Sequence, residues 1–313
     1  MMQYALITSV WSLEGVSLDE SLRRAGELGI PRVEVFGRGH GDPRYLSQGN
    51  LRACVESIAA SGVEVAAYTA LLPGNPGAHD DHVAEANWAY FLRALDAAQA
   101  FGARKVLHMT GEKEPGSSRR DAWERSVGFA RRCCEEARAR GMVLLVELEP
   151  TVASLVRDLD SLRAYREAVA APELLLNLDT GHLNVIRVAA SELDPILAHV
   201  AHVHLSDNRG THDAHEDLGA GSADLAAYLA RVIDSGIEER CRALAIGPAV
   251  ASIELHYGLV PPFARRPADE SARRAWTHVR DVLQPRVLEL LPPPSSQRAD
   301  APGASHHPHE ETP

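Results

Sequence analysis

No stretch of ~18 consecutive apolar residues occurs in the 313-residue chain, so no membrane-spanning helix is expected. The N-terminus, MMQYALITSV, has neither a basic n-region nor a long apolar core and so lacks a secretory signature. Cysteine is sparse. Cys54, Cys133, Cys134 and Cys241 show no CxxC spacing, and an adjacent pair on a helical segment packs more often than it bridges. Together these absences predict a soluble protein in a reduced, cytoplasmic setting with no membrane partner. Positive charge is also short: 32 Lys and Arg against 43 Asp and Glu leave a net charge of −11. That balance argues against gripping a nucleic-acid backbone, because such affinity comes from basic side chains displacing counterions. A small molecule is the expected partner, and a homo-oligomer is left open.

What the chain does have is a repeat of one unit. Apolar runs over residues 4–8, 32–36, 63–68, 105–109, 142–147, 174–178, 200–205 and 250–255 read as strands. Each leads into a segment of helical spacing, over 18–28, 51–61, 81–101, 119–140, 152–170, 223–234 and 271–283 for those assigned. Many of these segments stop at a glycine just before the next apolar run. Eight strand and helix repeats in about 290 residues predict a single-domain α/β fold, a (β/α)8 TIM barrel over 1–290. The connection 236–249 has no assignment beyond a polar linker. From 291 to 313 the chain is Pro- and His-rich with no apolar period, and a disordered tail is expected.

In a parallel barrel the functional groups gather at the carboxyl ends of the strands. Side chains alternate along a strand, so only every second residue faces the interior. In the run 201–206, Ala201, Val203 and Leu205 suit packing on the outer helices, which turns His202, His204 and Ser206 inward with His204 nearer the mouth. The same alternation turns Glu147, Asp179 and Glu254 inward. Three carboxylates and one imidazole would repel one another without a cation, so a divalent metal is expected on Glu147, Asp179, His204 and Glu254. Zn and Mn accept both donor types.

These residues lie in ELEP (147–150), LDTGH (178–182), HVHLSDN (202–208), DAHEDLGAG (213–221) and SIELH (252–256). In that order the motifs resemble the xylose-isomerase-like TIM-barrel superfamily. It includes sugar isomerases and epimerases, inosose and dehydroshikimate dehydratases, and endonuclease-IV-type AP endonucleases. The resemblance implies the same four metal ligands and a divalent ion (Mn, Zn, Mg or Co). It implies Glu147 and Glu254 as the proton-carrying catalytic pair, with the ion chelating a carbonyl and its neighbouring hydroxyl to stabilise an enediolate. His182, Arg209 and His108 are the expected substrate contacts. His182, Asp213 and His215 match a further zinc site of the endonucleases, and His108 resembles another endonuclease zinc ligand, so a second metal is an alternative to a purely loop-organising role. Where the endonucleases carry a histidine at the end of the third strand, this chain has Tyr68. The reaction implied is isomerisation or epimerisation of a small sugar or polyhydroxy carbonyl compound. Dehydration of a keto-sugar or keto-cyclitol and multinuclear zinc phosphodiester cleavage are the alternatives.

Overall fold

The apolar runs form eight strands: β1 Gln3–Ile7, β2 Arg32–Phe36, β3 Glu64–Ala70, β4 Lys105–His108, β5 Val143–Val146, β6 Leu174–Asp179, β7 Val200–Leu205 and β8 Val250–Ile253. In the computed structural model, which describes residues 2–12, 14–255 and 267–292, they pair in parallel in chain order, and β8 returns to β1. The barrel is closed. Both strand faces are covered, which is why the runs are nearly continuous Val, Leu and Ile rather than alternating with exposed polar residues.

The principal helices are α1 Leu18–Glu27, α2 Leu51–Ser61, α3 Asp81–Ala100, α4 Arg119–Ala139, α5 Leu159–Val169, α6 Thr180–Val185, α7 Leu225–Asp234 and α8 Ala268–His278. Side-chain caps set most of their starts: Ser17, Asp80, Ser118, Asp158, Asp179 and Asp224 each accept a backbone N–H of the first turn. Gly62 ends α2 at φ +68°, a conformation that a side chain would strain.

Several expected boundaries move. The helix expected from 152 begins at Leu159, because Asp158 and Ser161 form a reciprocal capping box. The residues before it form a loop whose Val152 and Ser154 carbonyls accept from Arg119. The unassigned 236–249 connection contains a helix, Ile237–Ala243. The last helix begins earlier than 271 and continues through a π-turn, Val279–Leu283, to Gln284–Leu290. Leu291, counted with the tail by sequence, packs against the core, whereas 293–313 lie outside the described residues, as does His256 of the SIELH motif. All four cysteines are buried free thiols. Among the described residues no helix is long and apolar enough to cross a membrane.

Two register irregularities interrupt the barrel, beside Glu34 in the β2–β3 pairing and beside Asn177 in the β6–β7 pairing. An extra residue in one strand re-aims the side chains that follow it. Both irregularities lie next to polar side chains of the barrel interior.

Candidate metal centre at the barrel mouth

The four predicted ligands converge. His204 Nδ1 lies 2.9 Å from Glu254 Oε2, 3.6 Å from Glu147 Oε2 and 3.9 Å from Asp179 Oδ2. Ligand atoms of Glu147, Asp179 and His204 all fall within 4.8 Å of one another. His204 Nδ1 and Asp179 Oδ2 are buried without an aligned hydrogen-bond partner. Leaving such atoms unsatisfied costs about 1 to 3 kcal/mol each, more for charged groups. A cation bound between them would satisfy both, so the residues fit a divalent metal of mixed oxygen and nitrogen preference.

The LDTGH segment shows how the sequence builds its corner. Asp179 ends β6 and caps α6, with Oδ1 accepting from His182 N at 2.8 Å and from Ser206 Oγ at 2.7 Å. That fixes the carboxylate and leaves Oδ2 for a cation. Gly181 permits the close approach, since a Cβ there would lie 2.2 Å from Ser206 Oγ. Two residues earlier on β6, Asn177 Nδ2 donates to Glu147 Oε2 at 2.5 Å.

A second set of donors lies beside the first. His182 Nε2 is 3.4 Å from Asp213 Oδ2 and 3.9 Å from Glu149 Oε2, and His215 Nε2 is 2.7 Å from Asp213 Oδ2. Ligand atoms of Asp179, His182 and Asp213 are grouped within 4.8 Å, as are those of Glu147, Glu149 and His182. Glu149 was not singled out from sequence. Its place two residues after Glu147 in ELEP was the available signal.

Burial and the mutual field of the clustered groups set the electrostatics. It pushes the Glu147 carboxyl up to about 8 against the pull of His204 and His182, and Glu149 up to about 7 against His182. Burial would lower His204 and His182, yet the surrounding carboxylates outweigh it and raise both well above the usual imidazole range. Burial also disfavours the His215 imidazolium, but Asp213 and Glu254 raise it to about 9.

Three expectations are corrected. His108 does not face the site. The β4 phase turns Lys105 into the barrel, where Nζ donates to the Pro248 carbonyl, and turns His108 outward between Phe91 of α3 and Phe129 of α4, at ring separations of 5.9 and 5.6 Å. Its Nδ1 donates to the Met109 carbonyl, and burial lowers it to about 4. Tyr68 does not end the third strand, which runs on to Ala70. Its hydroxyl donates to the Gly41 carbonyl, while the following residue, Thr69, turns inward to Glu34. The 211–221 loop is organised by Asp207, whose carboxylate accepts from the backbone N–H of Asn208, Gly219, Gly221 and Ala223, rather than by Asp213 and His215 alone. Arg209 is 69% exposed and paired with Glu216 at 3.1 Å, apart from the cluster.

Sequence reading also missed Glu34. It is fully buried on β2 and receives His202 Nε2 at 2.9 Å, His204 Nε2 at 3.1 Å and Thr69 Oγ1 at 2.5 Å. Burial would raise its carboxyl, but the two histidines hold it well below the usual carboxylate range. Alternation within RVEVF was the signal, since Val33 and Val35 flank it on the other face.

Comparison with curated proteins finds no match. Among solved structures, the chain is similar to an L-ribulose 3-epimerase (TM-score 0.72, 19% identity, covering 97% of this chain and 100% of that one). It is also similar to the IolI protein with a bound zinc atom (TM-score 0.73, 18% identity, 91% and 99% covered). A D-tagatose 3-epimerase-like protein gives a TM-score of 0.71 at 19% identity, with 92% and 98% covered. At these identities the likeness concerns the fold. The family model described as xylose isomerase-like TIM barrel matches residues 22–283, and the chain belongs to that family.

Proposed function

We propose that this protein is a divalent-metal-dependent isomerase or epimerase of a small sugar or polyhydroxy carbonyl compound. The carrying observation is the approach of three carboxylates to one imidazole nitrogen, His204 Nδ1, at 2.9 to 3.9 Å. Glu147, Asp179, His204 and Glu254 would hold the ion. When bound, it would supply Lewis-acid polarisation of a carbonyl and the adjacent hydroxyl. The epimerases among the fold neighbours support this reading, as does the neighbour with bound zinc.

The chain's own groups supply proton transfer. Glu147 and Glu254 each place an oxygen near His204 Nδ1, and a carboxylate needs only one oxygen for an ion. The other would take a proton from carbon and return it. Burial raises the Glu147 carboxyl in the ion-free site, and a bound ion would draw it back toward the carboxylate form that accepts a proton from carbon. His182, held between Asp179, Asp213 and Glu149, would orient a substrate hydroxyl. Arg209 could do so only by giving up Glu216.

A second reading rests on the His182, Asp213 and His215 cluster, which could take a further ion and carry hydrolysis. Outward-facing His108 and Tyr68 leave no support for a third ion of endonuclease type. Metal analysis followed by incubation with ketoses in D2O tests these readings. One ion per chain and deuterium incorporation without loss of water is the expected result. Loss of water points to dehydration, two or more ions point to the hydrolase, and no ion together with no exchange refutes the proposal.

A further inference from the structure

Glu34 lies behind His204, away from the three carboxylates, and its contacts specify how that imidazole is held. His204 Nε2 lies 3.1 Å from Glu34 Oε1, an oxygen already fixed by Thr69 Oγ1, and a carboxylate set behind a ligating imidazole takes the hydrogen bond from its proton-bearing nitrogen, here Nε2. In the neutral ring that leaves Nδ1 bare, with its lone pair facing Glu147, Asp179 and Glu254. We infer that Glu34 is the positioning residue of the metal centre: it selects the Nε2–H tautomer of His204 and aims Nδ1 at the cation. The inference rests on the metal-centre reading above and adds a residue from the opposite side of the barrel to it.

Glu34 is itself fixed. Thr69 Oγ1 donates to Oε1 from the adjacent strand, while His202 Nε2 donates to Oε2 and also lies 2.9 Å from Ser252 Oγ. β2, β3, β7 and β8 therefore meet on one buried carboxylate. Lys105, fully buried on β4, directs its Nζ to the Pro248 carbonyl and not to this carboxylate. A second imidazole and one hydroxyl thus hold Glu34 in place, and Glu34 holds His204. Carboxylate partners of ligating imidazoles orient the ring and raise its basicity, and their loss costs about 10- to 100-fold in metal affinity.

Glu34→Gln keeps the size of the side chain but removes the selection, since an amide can accept from Nε2–H or donate to a bare Nε2. The variant should fold, with unchanged far-UV circular dichroism, and bind Zn about 10- to 100-fold more weakly by calorimetry. In a His204→Gln background the same change should cost no further affinity, which a general loss of packing would not reproduce. In the unmodified protein loaded with Zn, 15N–1H correlation spectra of the imidazoles should show His204 coordinated through Nδ1 with a proton on Nε2. Coordination through Nε2, or wild-type Zn affinity in Glu34→Gln, would overturn the role of Glu34 and leave the metal centre standing. An unmodified protein that takes up no Zn would overturn both.

Discussion

Glu254 Oε2 stands 2.9 Å from His204 Nδ1, across the junction between β7 and the end of β8, a shorter approach to that nitrogen than those of Glu147 or Asp179. An imidazole face and a carboxylate so close together are stabilised by a shared proton or a shared cation, and the two compete. That competition underlies the first two predictions.

Glu254→Gln retains the shape and one oxygen donor but removes the basic site. Turnover should fall by about 10²-fold or more while measurable metal remains. Deuterium exchange into a ketose alongside metal content by mass spectrometry checks it, and normal turnover would remove Glu254 from proton transfer.

Metal uptake should release protons. With no ion bound, Glu147 binds its proton up to about 8 and His204 is raised well above its usual range, so a cation must displace them. Affinity should therefore rise with pH from about 6 toward 8, and calorimetry in buffers of different ionisation enthalpy should report net proton release. The stability of the metal-free protein should run the other way. Glu147 titrates higher folded than its ordinary 4.5, so its contribution is present below 4.5 and is lost as pH rises through about 8. A melting temperature of the metal-free form that falls over that window, and recovers on adding Zn, is the expected result.

Gly181→Ala drives a methyl to 2.2 Å from Ser206 Oγ and 2.9 Å from Asn208 Nδ2. Ser206 also donates to Asp179 Oδ1, so the strain passes directly to a proposed ligand. A loss of about 1 to 3 kcal/mol in denaturant unfolding, together with weaker Zn binding, is expected. Wild-type values in both measurements would show that the corner yields freely.

His108→Phe should leave the metal centre untouched, because the ring packs between Phe91 and Phe129 on the helix side of β4. It forfeits the bond to the Met109 carbonyl, worth about 1 kcal/mol, and partly regains apolar contact. A variant with wild-type Zn affinity and near-wild-type melting fits this placement. A large loss of affinity would return His108 to the site.

Alternation along a strand made most of the centre legible. The convergence of His204, Glu147, Asp179 and Glu254 could be anticipated because each follows or interrupts an apolar run whose outward members are unmistakable. His108 failed under the same rule for want of phase: Lys105 opens that strand, and nothing in the letters reveals that its ammonium is buried inside the barrel rather than at the surface. Glu34 was within reach of the rule, since Val33 and Val35 give the phase, but a lone acid in a β-branched run reads as a strand residue until its partners across the barrel are known. Helix starts were legible only where the capping residue abuts the apolar period. Asp158 does not, because an irregular loop that is itself partly apolar, 151–157, precedes it.

Asp207 ties the backbone at Gly219, Gly221 and Ala223 to the end of β7, and Gly221 has no space for a Cβ against that carboxylate. This stem is clamped rather than hinged, so one wall of the mouth keeps its shape whether or not a ligand is inside. Ligand choice on that side is then a matter of which residues line the tip, 210–215. Grafting new tips that keep Asp213 and His215 onto the unchanged stem is a route to altered selectivity that leaves Glu147, Asp179, His204 and Glu254 in place.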